Sequence, residues 1–270
     1  LIAISYKSCS KNNLMINRAK RRKFGQNYLK DKLVLAKMSD YIHPKKTDHI
    51  IEIGPGEGAL TKSLLLNKDI KLKAIDIDKQ NVDLLKEKFS SYSNANFIHA
   101  DFLDYDLNKI TDLPLRIVGN LPYNVSTQII LSFINHHQKI YDMHFLVQKE
   151  VAEKINGKIQ TKNWGKLAIK IACFFESEML FDVYPESFDI KPKVDSTFIK
   201  LKPRPDKIIN TNEIEGFFSF IDDALTSKRK NIKNNLKKYD IDWRKASIDP
   251  TSRTEQLNLE TLISLFRSVS

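Results

Sequence analysis

Residues 49–76 read HIIEIGPGEGALTKSLLLNKDIKLKAID. An apolar run at 49–53 meets a glycine-rich turn, Gly54-Pro55-Gly56-Glu57-Gly58. Leucines then recur at helical spacing through 59–66, and a second apolar run at 72–77 carries Asp76 near its end. Strand, tight turn, helix and strand make a βαβ unit, in which the crossover helix forces the two strands to run parallel. The same alternation continues along the chain. Apolar runs at 96–100, 116–119, 143–148, 172–175 and 197–201 read as further strands, and 81–89 as a second crossover helix. The expected fold class is α/β, with a largely parallel sheet of six or seven strands.

The stretch KPRPD at 202–206 places two prolines beside charge, which marks a linker. Beyond it, 213–225, 229–238 and 257–266 have helical spacing without strand-like alternation. The expected organisation is an extension at 1–14, an α/β domain at 15–204 and a small all-helical domain at 205–270. The first segment, LIAISYKSCSKNNL, lacks an acid and a leading methionine. It reads as an upstream extension, the remnant of a targeting peptide or a start at a non-standard codon.

With 270 residues, 41% of them hydrophobic, the chain can bury a sizeable core, which excludes a disordered tail protein. No apolar run approaches the roughly 18 residues of a membrane span. The two cysteines, Cys9 and Cys173, fit neither a disulfide framework nor a metal-ligand spacing and are expected as free thiols, so no metal site is expected.

The net charge of +11 is confined to two places. Residues 1–30 hold eight basic side chains, Arg21, Arg22 and Lys23 among them, and no acid. Residues 228–238 hold six, including Lys228, Arg229, Lys230 and Lys233, again without an acid. The remaining 30 basic residues are outnumbered by the 33 acids. Such clustering is the electrostatic footprint of a nucleic-acid binder, because each phosphate neutralised releases counterions.

The glycine turn permits close approach of the backbone to a nucleoside. Gly54 and Gly56 are its candidate contacts. Asp76 follows 22 positions after Gly54, where a carboxylate can accept the ribose hydroxyls of an adenosine-containing cofactor. Asp101, closing the third strand, is suited to accept from an adenine amino group; each acid is equally readable as a helix cap. The spacing departs from the G-x-G-x-x-G fingerprint, which weakens a dehydrogenase reading.

The fourth strand runs into Gly119-Asn120-Leu121-Pro122-Tyr123-Asn124. Asn-Leu-Pro-Tyr resembles the N/D-P-P-Y-type motif of methyltransferases acting on exocyclic amino groups of bases. An adenine amino nitrogen is a poor nucleophile, because its lone pair is delocalised into the ring. Acceptance of its two N–H groups by the Asn120 side-chain oxygen and the Leu121 carbonyl pulls the nitrogen toward tetrahedral geometry and frees that pair. Pro122 fixes the turn, and Tyr123 offers a face on which an extruded base stacks. No general base is needed before attack, so none of the histidines is nominated.

Seven segments stand in one order: KFGQNYL (23–29), IEIGPGEGALT (51–61), ADFLDYD (100–106), VGNLPYNVST (118–127), MHFLVQKEVAEKI (143–155), YPESFDIKPKVDSTFIKL (184–201) and SKRKNIKNNL (227–236). This order resembles the ribosomal RNA adenine dimethyltransferase family of the KsgA type, over residue 15 to the C-terminus. The resemblance implies a Rossmann-like, S-adenosylmethionine-dependent domain with a small helical C-terminal domain. It implies dimethylation of the N6 amino groups of two adjacent adenines in the 3′-terminal hairpin of small-subunit rRNA, with a role in ribosome biogenesis. Carried over by motif, Asn27, Leu29, Gly54, Gly56, Asp76, Asp101 and Asn120 bind the cofactor. Phe188 covers the second face of the target base, its alternative being a core phenylalanine. The family more often has glutamate at Asp76, so a shorter carboxylate serves the ribose here.

The arm around Arg21, Arg22 and Lys23 and the basic helix expected at 229–238 grip the rRNA backbone. The implied partner is the small ribosomal subunit, met by a monomer in the bacterial cytoplasm, without membrane or metal. Other readings are an Erm-type 23S rRNA methyltransferase, against which SKRKNIKNNL argues, an organellar member of the family, and an assembly or transcription factor acting mainly by binding.

Overall fold

The computed structural model describes residues 27–67, 69–244 and 246–269. Cys9 and the basic arm Arg21, Arg22 and Lys23 lie outside the described residues. The expected α/β class holds: one seven-stranded sheet carries helices between its strands. The first helix, α1 (Lys32–Ile42), is set by the Asp31 carboxylate, which accepts from the N–H groups of Leu33 and Val34. Then come β1 (His49–Ile53), α2 (Ala59–Leu64), β2 (Lys71–Asp76), α3 (Lys79–Lys88), β3 (Ala95–His99) and β4 (Leu115–Asn120). After these run α4 (Ser126–Ser132), β5 (Ile140–Gln148), α5 (Lys149–Ile155), α6 (Lys166–Ala172), β6 (Phe175–Val183) and β7 (Ser196–Pro203). The C-terminal elements are α7 (Ile214–Ala224), α8 (Ile232–Asn235) and α9 (Leu259–Arg267).

The strand order is β3-β2-β1-β4-β5-β7-β6, with β1 to β5 all parallel. Strand order reverses between β1 and β4, the switch point outside whose strand ends ligands bind in open α/β sheets. β1 reads as an unbroken apolar run apart from Glu52 because both its faces are covered; residues 50–53 are all buried. The expected strand at 172–175 is corrected: 172 ends α6, and the strand runs from Phe175 to Val183. As an edge strand it interleaves Glu176, Glu178 and Asp182 with apolar residues, which conceals it as an apolar run.

Packing divides the chain into two compact units, and not by a single cut at 204/205. One comprises 27–149 and Leu180–Ile199; the other comprises Glu150–Met179 and 200–269. The first buries Met38, Ile42, Leu64, Val118, Leu146 and Phe198 around its sheet. It also contains a buried ion cluster: the Arg116 guanidinium donates to both Asp142 carboxylate oxygens at 2.8 Å, to Asp48 at 2.6 Å and to the carbonyls of Ile42 and His43.

The second unit packs Phe217 and Phe220 against Phe266, with ring centroids 5.5 and 5.7 Å apart. The Trp164 indole donates to the Leu257 carbonyl at 2.9 Å. The helix expected at 229–238 is corrected to one turn, α8, capped by the Asn231 side chain. Lys228, Arg229 and Lys230 precede it in a turn. Cys173 is a free, buried thiol pushed up to about 12 by burial.

Candidate active site

Register places the site. Ile53 pairs with Ile75 on one side and Gly119 on the other, while Asp76 pairs with His99. Gly54, Asp76 and Asn120, one step past the Ile53 pairs, and Asp101, two past His99, therefore emerge together at the C-terminal ends of the parallel strands. A cavity there is lined by these four together with Asn27 and Tyr28. Ile53, Ile75, Phe102 and Ile129 supply its apolar walls. A second cavity, lined by Leu29, Glu52 and Glu57, shares Tyr28, Gly54 and Asn120 with the first.

Gly56 adopts φ +56°, and a Cβ built on it lies 2.7 Å from the Tyr28 ring. Only glycine fits both that dihedral and that contact. At Gly119 a Cβ would meet the Ile53 carbonyl at 2.6 Å, so the side-by-side approach of β1 and β4 also requires glycine.

Asp76 is buried and held in place by three hydrogen bonds. One oxygen accepts from the Asp78 N–H at 2.8 Å; the other accepts from the Gly56 N–H and the Asn81 amide, each at 3.1 Å. Burial raises its pKa, opposed by those bonds. Asp101 caps the turn 102–104 through the Leu103 N–H at 2.9 Å, as in its alternative reading, and also lines the cavity.

Asn120 donates its amide nitrogen to the Asn27 carbonyl at 2.6 Å, which leaves Oδ1 as the acceptor. Leu121 is buried, with its N–H on the Leu146 carbonyl at 3.1 Å. The Tyr123 hydroxyl shares a 2.6 Å hydrogen bond with Ser196 Oγ. Leu29 and Phe188 form an antiparallel bridge, and both lie inside the core. With its ring wholly buried, Phe188 is placed as the core phenylalanine of its alternative reading, and the role over a base is not supported.

Sequence reading overlooked Glu52, Asn81 and Tyr28. Glu52 was signalled as an acid inside an otherwise apolar strand. It is buried, accepts from Thr61 Oγ1 at 2.7 Å and is raised to about 7, chiefly by desolvation and further by the Asp76 charge. Asn81 and Tyr28 have no local signal, because their roles depend on Asp76.

The donor set fits an adenosine-containing cofactor. A left-handed glycine on the cavity wall, Gly54, a buried carboxylate and apolar walls suit a nucleoside with ribose hydroxyls. Among the described residues, no group of three or more His, Cys, Asp or Glu is arranged to hold a metal ion. None of their helices is long and apolar enough to cross a membrane.

A family model described as ribosomal RNA adenine dimethylase matches residues 17–270. The ribosomal RNA small subunit methyltransferase A of Coxiella burnetii (strain RSA 331 / Henzerling II) is 36% identical over 248 residues, covering 91% of this chain and 96% of that protein. The protein of the same name from Saccharophagus degradans is 34% identical over 249 residues, covering 91% and 92%. Of solved structures, 23S rRNA methyltransferase ErmE has a TM-score of 0.71 at 24% identity, covering 90% of this chain and 99% of that one. A dimethyladenosine transferase from Plasmodium falciparum has 0.73 at 22%, covering 88% and 95%. Both structures share the fold of this chain. With nearly the whole chain matched, at over a third identity to the Coxiella protein, the chain belongs to the ribosomal RNA adenine dimethylase family.

Proposed function

We propose that this chain dimethylates the N6 amino groups of two adjacent adenines near the 3′ end of small-subunit rRNA during subunit biogenesis in the bacterial cytoplasm. The observation that carries the reading is Asn120: with its amide nitrogen on the Asn27 carbonyl, its Oδ1 is held as an acceptor at the cavity.

Asn27, Gly54, Gly56, Asp76 and Asp101 would hold S-adenosylmethionine, with Glu52 facing the adjoining cavity as a partner for an ammonium group. When bound there, that cofactor supplies an electrophilic methyl on a positively charged sulfur. Asn120 Oδ1 and the Leu121 carbonyl accept the two N–H groups of adenine and turn the nitrogen lone pair outward. Tyr123 stacks on the extruded base, its ring angle set by Ser196. Positioning supplies most of the rate, and the proton leaves to water only after the nitrogen has been alkylated. Exposed Arg229, Lys230 and Lys233 neutralise rRNA phosphates without reading sequence.

The test is methyl transfer from labelled S-adenosylmethionine to small subunits lacking the modification, with large subunits and naked rRNA in parallel and the sites mapped by reverse-transcriptase stops. Label on adjacent adenines near the 3′ end of small-subunit rRNA is the expected result. Label in the large subunit moves the chain to the Erm type, and binding without label makes it an assembly factor.

A further inference from the structure

Asp76 reaches the cavity on a short side chain held by three protein donors. Two of its three donors, the Gly56 and Asp78 N–H groups, are backbone and follow from the turn. The third is a side chain: Asn81 Nδ2, one helical turn into α3, at 3.1 Å. Asn81 is buried, and its amide also exchanges hydrogen bonds with the Tyr28 hydroxyl, at 3.1 Å from Nδ2 and 3.3 Å to Oδ1. Tyr28 in turn lays its ring on Gly56, the residue that donates to the same Asp76 oxygen. The chain Tyr28–Asn81–Asp76–Gly56 is thus closed. A carboxylate has about four lone-pair directions, and three donors on Asp76 leave room for a further one from the cavity.

We propose that Asn81 and Tyr28 are positioning residues for Asp76, aiming its carboxylate at the ribose hydroxyls of the cofactor and closing the glycine loop behind it. This rests on the reading that the cavity takes S-adenosylmethionine. A buried Asn is costly unless fully bonded, and both partners of Asn81 lie at the cavity rather than in the core. The arrangement answers a geometric need: an aspartate shorter than glutamate by one methylene cannot search for the ribose, so its orientation is set by neighbours.

The test is a binding cycle on the full chain, by calorimetry, with S-adenosylhomocysteine and its 2′,3′-dideoxy analogue as ligands. Asn81→Leu lowers affinity for S-adenosylhomocysteine about tenfold, the scale of one hydrogen bond to a charged group. For the dideoxy analogue it lowers affinity less than about twofold, because the hydroxyls that Asp76 serves are gone. Tyr28→Phe keeps the ring on Gly56 and gives a smaller loss, about threefold, with the same dependence on the hydroxyls. Asp76→Glu added to Asn81→Leu recovers most of the affinity, since the longer side chain reaches without a guide. Equal losses for both ligands, or no rescue by Asp76→Glu, overturn the positioning role while leaving the cofactor reading intact. A wild-type chain that binds neither ligand overturns the cofactor reading and the positioning role together.

Discussion

Asn120 Nδ2 lies 2.6 Å from the Asn27 carbonyl, so the end of β4 is tied to a segment 93 residues earlier in the chain. That bond selects which end of the Asn120 amide accepts. Asn120→Ala is expected to cut kcat for methyl transfer at least about 100-fold, as removal of a transition-state acceptor does, with subunit binding nearly unchanged. Asn120→Asp sets a carboxylate against the Asn27 carbonyl and should lower cofactor affinity as well. Single-turnover transfer with parallel subunit binding checks both; equal loss of transfer and subunit binding in Asn120→Ala would count against the acceptor role.

Tyr123 and Ser196 form a second pair of this kind. Ser196 is wholly buried, and its hydroxyl meets Tyr123 Oη at 2.6 Å. Tyr123→Phe keeps the stacking face and loses the tether, so a several-fold fall in kcat is expected; Tyr123→Ala, which loses the face itself, falls much further. Ser196→Ala should match Tyr123→Phe, and the double variant should be no worse than either single one. Additive losses would show that Ser196 acts elsewhere.

Glu52 makes stability depend on pH. Its folded value of about 7 lies above the ordinary 4.5, so the folded state holds its proton more tightly than the unfolded one. The resulting stabilisation is complete below pH 4.5 and is lost as pH rises to about 7, by roughly 3 kcal/mol. Glu52→Gln keeps an acceptor for Thr61 and removes the titration. Urea midpoints between these pH values should fall less steeply in the variant than in the wild type.

Arg116 tests a structural cluster. Removing its guanidinium strands Asp142, whose side chain is 3% exposed. Arg116→Met is expected to destabilise by about 3–5 kcal/mol, and Arg116→Lys to recover only part, since an ammonium cannot bridge both carboxylate oxygens. Denaturant titration reads the loss. The cluster lies at the opening residues of β4, away from Asn120 at its end, so cofactor affinity of the folded fraction should be unchanged.

Lys228 is not equivalent to its neighbours. Its ammonium donates to the Lys162 carbonyl at 2.8 Å within the second unit, whereas Arg229 and Lys230 are exposed. Arg229→Gln and Lys230→Gln are each expected to weaken subunit binding and lower the slope of log affinity against log salt by about one. Lys228→Met should change the slope less and the stability of the 157–165 loop more. Salt titrations of the three variants separate the two roles; identical slopes for all of them would remove the distinction.

Short-range spacing determined much of this protein. The run from 49 to 76 was legible as βαβ because apolar periodicity and a glycine turn are local properties. Asn120-Leu121-Pro122-Tyr123 was legible as a motif because its residues are consecutive, whereas the bonds from Asn27 and Ser196 that orient it were not. Helix α1 went unread, although Asp31 caps it. The basic tract at 228–238 was misread as one helix because charge periodicity cannot show that Lys228 reaches back 66 residues to Lys162. Phe188 is an aromatic in a motif whichever way its ring faces; its burial against Leu29 followed only from the packing of 27–29 beside 187–189. The same holds for Asp76. Its place at a strand end was evident in the sequence, but Asn81, Tyr28 and Gly56 converge on it only once α3, the 27–29 segment and the glycine loop have packed, because hydrogen bonds a few ångströms long join residues that are far apart along the chain.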